Sequence, residues 1–162
     1  MNGTTIAEAL FELANRPTSP ATAGNVVKAS EEMRVAWFVV YSPNRLPLRG
    51  ADHKIDVASP DVLEKACHKF AENGFHIGVG HQPGGEGIAS VLENYIHRGG
   101  DWRSVGPDGT TEVVKSGDWV IALRFTPKGW ARFKSGEWGG VSLQGSATRK
   151  PASAATLARQ GR

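Results

Sequence analysis

Apolar and polar positions along this chain fall into strand-like and helix-like patterns separated by turn-forming residues. Val35-Ala36-Trp37-Phe38-Val39-Val40-Tyr41 is β-branched and aromatic with no polar face, which predicts a strand covered on both sides. Ser42-Pro43-Asn44 ends it, and an irregular loop runs to Val57. Ser59-Pro60 opens a helix with a cap residue and a proline in the first turn. Val62, Leu63, Ala66, Cys67 and Phe70 form its apolar stripe, and Asn73-Gly74 closes it. Residues 75–81 and 88–97 read as two further strands around the loop 82–87, and residues 98–115 as a polar, glycine-rich, hairpin-like excursion. In residues 118–126, Trp119, Ile121, Leu123 and Phe125 alternate with smaller or polar positions, as in a fourth strand. Thr126-Pro127 starts a short helix with Trp130 and Phe133 inward and Gly136 at its end, and residues 139–146 make the last strand. The pattern is α+β: a mostly antiparallel sheet or small barrel with two helices packed on it.

The ends of the chain differ from this middle. Thr5-Ile6-Ala7-Glu8 reads as a capping box, followed by Ile6, Leu10, Phe11 and Leu13 on one helical face. Residues 17–25 are rich in Pro, Ser, Thr, Ala and Gly and read as a linker. The expected organisation is an N-terminal helix and linker over 1–30, a main domain over 31–147, and a flexible basic tail over 148–162.

Composition narrows the function classes. Apolar residues are 40% of 162 and charged residues 22%, as in an ordinary soluble domain. The net charge is +3, with lysines and arginines scattered rather than striped, so a nucleic-acid partner is not indicated. The five tryptophans sit mostly at core periods; Trp102, in the polar excursion, is the exception and could contact a partner. No apolar run reaches the roughly 18 residues of a membrane span, and no secretory signal stands at the N-terminus. The single cysteine, Cys67, allows no disulfide within a chain, and a cytoplasmic location is expected. Cysteine and histidine spacings form no metal site, and Gly78-x-Gly80 meets Pro83 where a dinucleotide fingerprint needs a third glycine.

The candidate chemistry is nucleophilic. Ser142 lies in Gly139-Gly140-Val141-Ser142-Leu143-Gln144-Gly145, where glycines strip bulk from around a hydroxyl. Gln144 separates this run from the Gly-x-Ser-x-Gly elbow of α/β-hydrolases, and all five histidines precede Ser142, which excludes that class by chain order. A histidine-then-serine order remains. His81, beside Gln82-Pro83-Gly84-Gly85 at a strand end, is the favoured base and His76 the runner-up. Glu93 is the best orienting acid, mid-strand on the expected face of Val91 and Tyr95; Asp101 and Asp118, at loop or strand edges, are weaker.

In order and spacing, these pieces resemble a known family, the XkdF-like phage serine proteases. The resemblance spans about residues 35–147. It rests on Trp37-Phe38-Val39-Val40-Tyr41, Val62-Leu63-Glu64-Lys65-Ala66, the strand ending at His81, and Val91-Leu92-Glu93-Asn94-Tyr95-Ile96. Gly117-Asp118-Trp119-Val120-Ile121-Ala122 and, most specifically, Lys134-Ser135-Gly136-Glu137-x-x-Gly140-x-Ser142 complete it. The resemblance implies an assemblin-like β-barrel with flanking helices, with Ser142 as nucleophile, His81 as base and Glu93 as third member. It implies a prohead protease that cuts scaffold and major capsid proteins inside the assembling phage head in the host cytoplasm. No cofactor is implied, and a homodimer is compatible with the superfamily. A structural head component without activity is the alternative. The chain departs from the family at Gln82, where Asp is common after the histidine, and near Gly50-Ala51-Asp52.

Overall fold

In the computed structural model, the residues described are 24–43, 48–49, 55–79, 87–105, 109, 111–138, 140–141, 148 and 150–151. Eleven elements follow one another: β1 (Gly24–Ser30), β2 (Val35–Tyr41), β3 (Leu48–Arg49), β4 (Ile55–Asp56), α1 (Pro60–Glu72), β5 (Ala89–Ile96), β6 (Trp102–Val105), β7 (Thr111–Val114), β8 (Trp119–Phe125), α2 (Pro127–Lys134) and β9 (Gly140–Val141). Five strands make one antiparallel sheet in the order β5-β8-β2-β1-β9. β3 pairs with β4, and β6 with β7, as separate two-stranded ladders. The fold is α+β and mostly antiparallel. Among the described residues the strands do not close into a barrel.

The sheet is covered on both faces. On one side α1 and α2 pack over Ala36, Phe38, Trp119, Ile121, Leu123 and Phe125, contributing Cys67, Trp130 and Phe133. On the other, the β6–β7 hairpin covers Val27, Val39 and Val120 with Val114 and Trp102. This accounts for the unbroken apolar runs of β2 and β8: every side chain of β8 except Arg124 is buried. Fully burying a side chain such as Phe38 or Val120 is worth about 1.5–3 kcal/mol, so these two strands carry most of the apolar stabilisation.

Bulges decide which residues share a face. The β1–β2 register shifts between Val26 and Lys28, and the β5–β8 register shifts between Val91 and Glu93. Val91 stands opposite Leu123, on the helix side, whereas Glu93 stands opposite Ala122 and Tyr95 opposite Val120, on the hairpin side. Glu93 therefore does not share a face with Val91, as strict alternation had it. The expected appendage also loses its last residues to the domain, because β1 lies inside the sheet between β2 and β9. The capping-box helix expected from Thr5 lies outside the described residues. Residues 75–78 are irregular, and Val79 makes only an isolated strand pairing. Val62, expected in the apolar stripe of α1, is 50% exposed, while Leu63 and Cys67 are buried.

Two polar clips fix the ends of these layers. Asp118, 1% exposed, accepts hydrogen bonds from the Ser42 hydroxyl and from the Lys115 amide at 2.9 Å. Its carbonyl accepts from the His97 amide at 2.8 Å, so the ends of β2, β5, β7 and β8 meet at one residue. A buried carboxylate is tolerable only when paired in this way. At the opposite end, Thr126 Oγ1 accepts from the Gly129 amide and donates to the Ile88 carbonyl, capping α2 and tying it to the start of β5. A Cβ on Gly129 would lie 2.6 Å from that same carbonyl oxygen. Gly129→Ala should push α2 off β5 and cost about 1–3 kcal/mol. Urea unfolding monitored by tryptophan fluorescence would show a lowered midpoint; an unchanged one would mean that the contact relaxes freely.

Candidate active site

Two of the three expected site residues, Ser142 and His81, lie outside the described residues. The segments that lead to them are visible. β9 pairs with β1 through Gly24 with Val141 and Asn25 with Gly140, and Val141, one residue before Ser142, packs into the helix-side core. Ile77, four residues before His81, packs into that same core.

The link from α2 into β9 is organised around Arg132. Its carbonyl accepts from the Glu137 amide at 3.2 Å and from the Ser135 hydroxyl at 2.9 Å. Its guanidinium lies 3.5 Å from the Glu137 carboxylate and 5.5 Å from the centre of the Trp138 ring. Gly136 turns the chain at φ +77°, a conformation that costs glycine little. Lys134 reaches Glu31 in the β1–β2 turn at 2.6 Å, and that hydrogen bond holds the Glu31 carboxyl below its ordinary range. These contacts belong to the segment that the sequence singles out as most specific, but the arginine two residues before its first lysine escaped that reading. Its signal was the five-residue spacing from Arg132 to Glu137, which only the turn at Gly136 closes.

Glu93 sits apart from β9. β5 and β9 are opposite edges of the sheet, four strand steps of about 4.8 Å each. Glu93 Oε2 accepts a hydrogen bond of 3.0 Å from Trp37 Nε1 on β2, and Lys28 Nζ stands 5.0 Å from the Trp37 ring centre. This acid, aromatic and base cross the hairpin side of the sheet, the face opposite the one that receives Val141 and Ile77. Asp118, the weaker acid in the sequence, is the buried one, engaged by Ser42 and Lys115.

Other nucleophiles and metal sites fare less well. Cys67 is buried, and burial pushes its thiol above the ordinary range, so it stays protonated near neutrality. Among the described residues no three His, Cys, Asp or Glu side chains gather to hold a metal ion. No described helix is long and apolar enough to cross a membrane.

Comparison with known proteins places the chain. Residues 23–150 match the family described as "Putative phage serine protease XkdF". The chain belongs to this family. Among curated proteins it is 28% identical over 122 residues to "Uncharacterized protein YqbD" of Bacillus subtilis (strain 168), covering 75% of this chain and 34% of that one. It is 29% identical over 122 residues to "Phage-like element PBSX protein XkdF" of the same organism, covering 72% of this chain and 38% of that one. The chain thus spans little more than a third of the length of either relative. No solved structure matches it.

Within this family member, Tyr95 reports on Glu93. Burial raises the Tyr95 phenol above its ordinary range, and the Glu93 charge raises it further. A phenol raised in the native state stabilises the fold below the unfolded pKa of about 10, and that stability is lost as pH rises through the native value. Glu93→Gln should lower the Tyr95 titration yet leave it above the ordinary value, because burial remains. An alkaline absorbance titration at 295 nm checks this, and an unmoved midpoint would separate the two side chains.

Proposed function

We propose that this chain is a serine endopeptidase of phage head maturation, which cuts scaffold and capsid-protein segments inside the prohead in the host cytoplasm. The observation that carries the reading is the family match, which spans both His81 and Ser142 and the whole described sheet. In this reading the five-stranded sheet is the larger part of an assemblin-like β-barrel. His81 takes the proton of Ser142, and the alkoxide attacks a peptide carbonyl. Backbone N–H groups hold the oxyanion, the His81 imidazolium gives its proton to the departing amine as the C–N bond breaks, and water then releases the acyl group. Glycines at 139, 140 and 145 leave room for an extended substrate. The chemistry calls on neither metal nor organic cofactor, and the substrates are the scaffold and major capsid proteins.

Glu93 enters as the third member, with one carboxylate oxygen already given to Trp37. Glutamine at 93 can keep that bond while losing the charge, so it separates two roles. If Glu93 orients His81, Glu93→Gln should cut turnover by about 10^4-fold; if it serves only Trp37, the loss should stay below about tenfold.

Ser142→Ala should fold normally and abolish both cleavage of a co-expressed scaffold protein and labelling by a fluorophosphonate probe. Cleavage that persists in this variant would overturn the nucleophile assignment. A wild-type chain that neither labels nor cleaves would favour a structural head component.

A further inference from the structure

We infer that Arg132 is a positioning residue that sets β9 against β1 and thereby the chain entering Ser142; its consequence for catalysis rests on the protease reading. Five residues, 135–139, join the end of α2 to the start of β9. The Ser135 and Gly136 amides close the helix end on the Ala131 and Phe133 carbonyls, and the side-chain contacts described in that link all return to Arg132. The main chain of Arg132 accepts from Glu137 and from Ser135, and its side chain engages the Glu137 carboxylate and the Trp138 ring. Trp138 in turn packs against the helix-side core, as does Val141. One side chain therefore joins the last turn of α2 to the two residues that precede the glycine pair 139–140.

Among the described residues, β9 is otherwise held by the packing of Val141 and its pairing with β1. Its described ladder with β1 is two residues long, and a short pairing of that kind can slip, each one-residue step moving a side chain to the other face. Gly139 and Gly140 offer no side chain to resist the slip. The guanidinium suits the task because a planar, delocalised cation can lie over an indole and still meet a carboxylate at its edge. Arg132 is 44% exposed and Glu137 52%, so the ion pair adds little to global stability. Its effect lies in geometry, where small misplacements of reacting groups cost rate heavily.

The test compares the unaltered chain with Arg132→Ala, Arg132→Lys and, as control, Arg98→Ala, which removes the Arg98–Glu64 bridge between the end of β5 and α1. Amide hydrogen exchange is read by mass on the peptide covering 138–145 and on peptides from β2 and β8. Fluorophosphonate labelling of Ser142 is followed in parallel. Arg132→Ala should speed exchange over 138–145 roughly tenfold, leave β2 and β8 unchanged, and slow labelling by at least a similar factor. Arg132→Lys should recover part of both, and Arg98→Ala should change neither. Unchanged exchange over 138–145 in Arg132→Ala overturns the inference, and so does faster exchange throughout the sheet. If wild type does not label, the protease reading fails, while the exchange comparison still decides the role of Arg132.

Discussion

Covering one strand on both faces is the constraint from which the architecture follows. β8 buries Val120 and Ala122 on one side and Trp119, Ile121, Leu123 and Phe125 on the other. A strand of that composition needs a layer above and a layer below. Two short helices cannot serve both faces, so the hairpin of β6 and β7 takes the second. The aromatic cluster on the helix side then packs in edge-to-face, tilted and stacked pairs, with Phe38, Phe125, Trp130 and Phe133 at centroid separations of 5.1–6.4 Å. The two-sided demand also explains why β5 and β9, the outer strands, carry the polar and glycine-rich sequences.

The features legible in the sequence are those that burial dictates. Residues 35–41 and the alternation from Trp119 to Phe125 announce the two central strands, and Thr126-Pro127 announces α2 with Trp130 and Phe133 inward. β1 was not legible, because Gly24-Asn25 and Ala29-Ser30 resemble a linker and the bulge at Val27 breaks the alternation that would betray a strand. The face of Glu93 was misread for the same reason: the extra residue at Leu92 reverses the side chains that precede it relative to those that follow. A bulge is a register effect, and composition carries no trace of it. Ser59 illustrates a different gap. It holds the cap position of α1 with extended backbone, yet its hydroxyl makes no cap bond, and Pro60 and the Leu63 amide on the Ser59 carbonyl define the first turn instead.

The site divides along the same line. Ser142 and His81 were singled out through glycine clearance and chain order, properties of sequence alone, and both lie outside the described residues. The acids needed the fold. Glu93 read as mid-strand on the face of Val91 and Tyr95, but the sheet exposes it and brings Trp37 across to meet it. Asp118 looked peripheral at a strand edge, but four strand ends converge on it. Distance in sequence hides such partners: Trp37 and Glu93 are 56 residues apart, Ser42 and Asp118 are 76.

Asn94 carries a last consequence. Its amide nitrogen donates to the Cys67 carbonyl in the middle of α1, and its oxygen accepts from Trp119 Nε1 on β8. The helix is moored by this main-chain bond as well as by the buried Cys67 side chain in the helix-side core. A cysteine-free version of the protein, with alanine in that place, would keep this main-chain bond and give up only the packing of the buried sulfur, and a solitary thiol for a spectroscopic label could then be installed wherever a probe of motion is wanted.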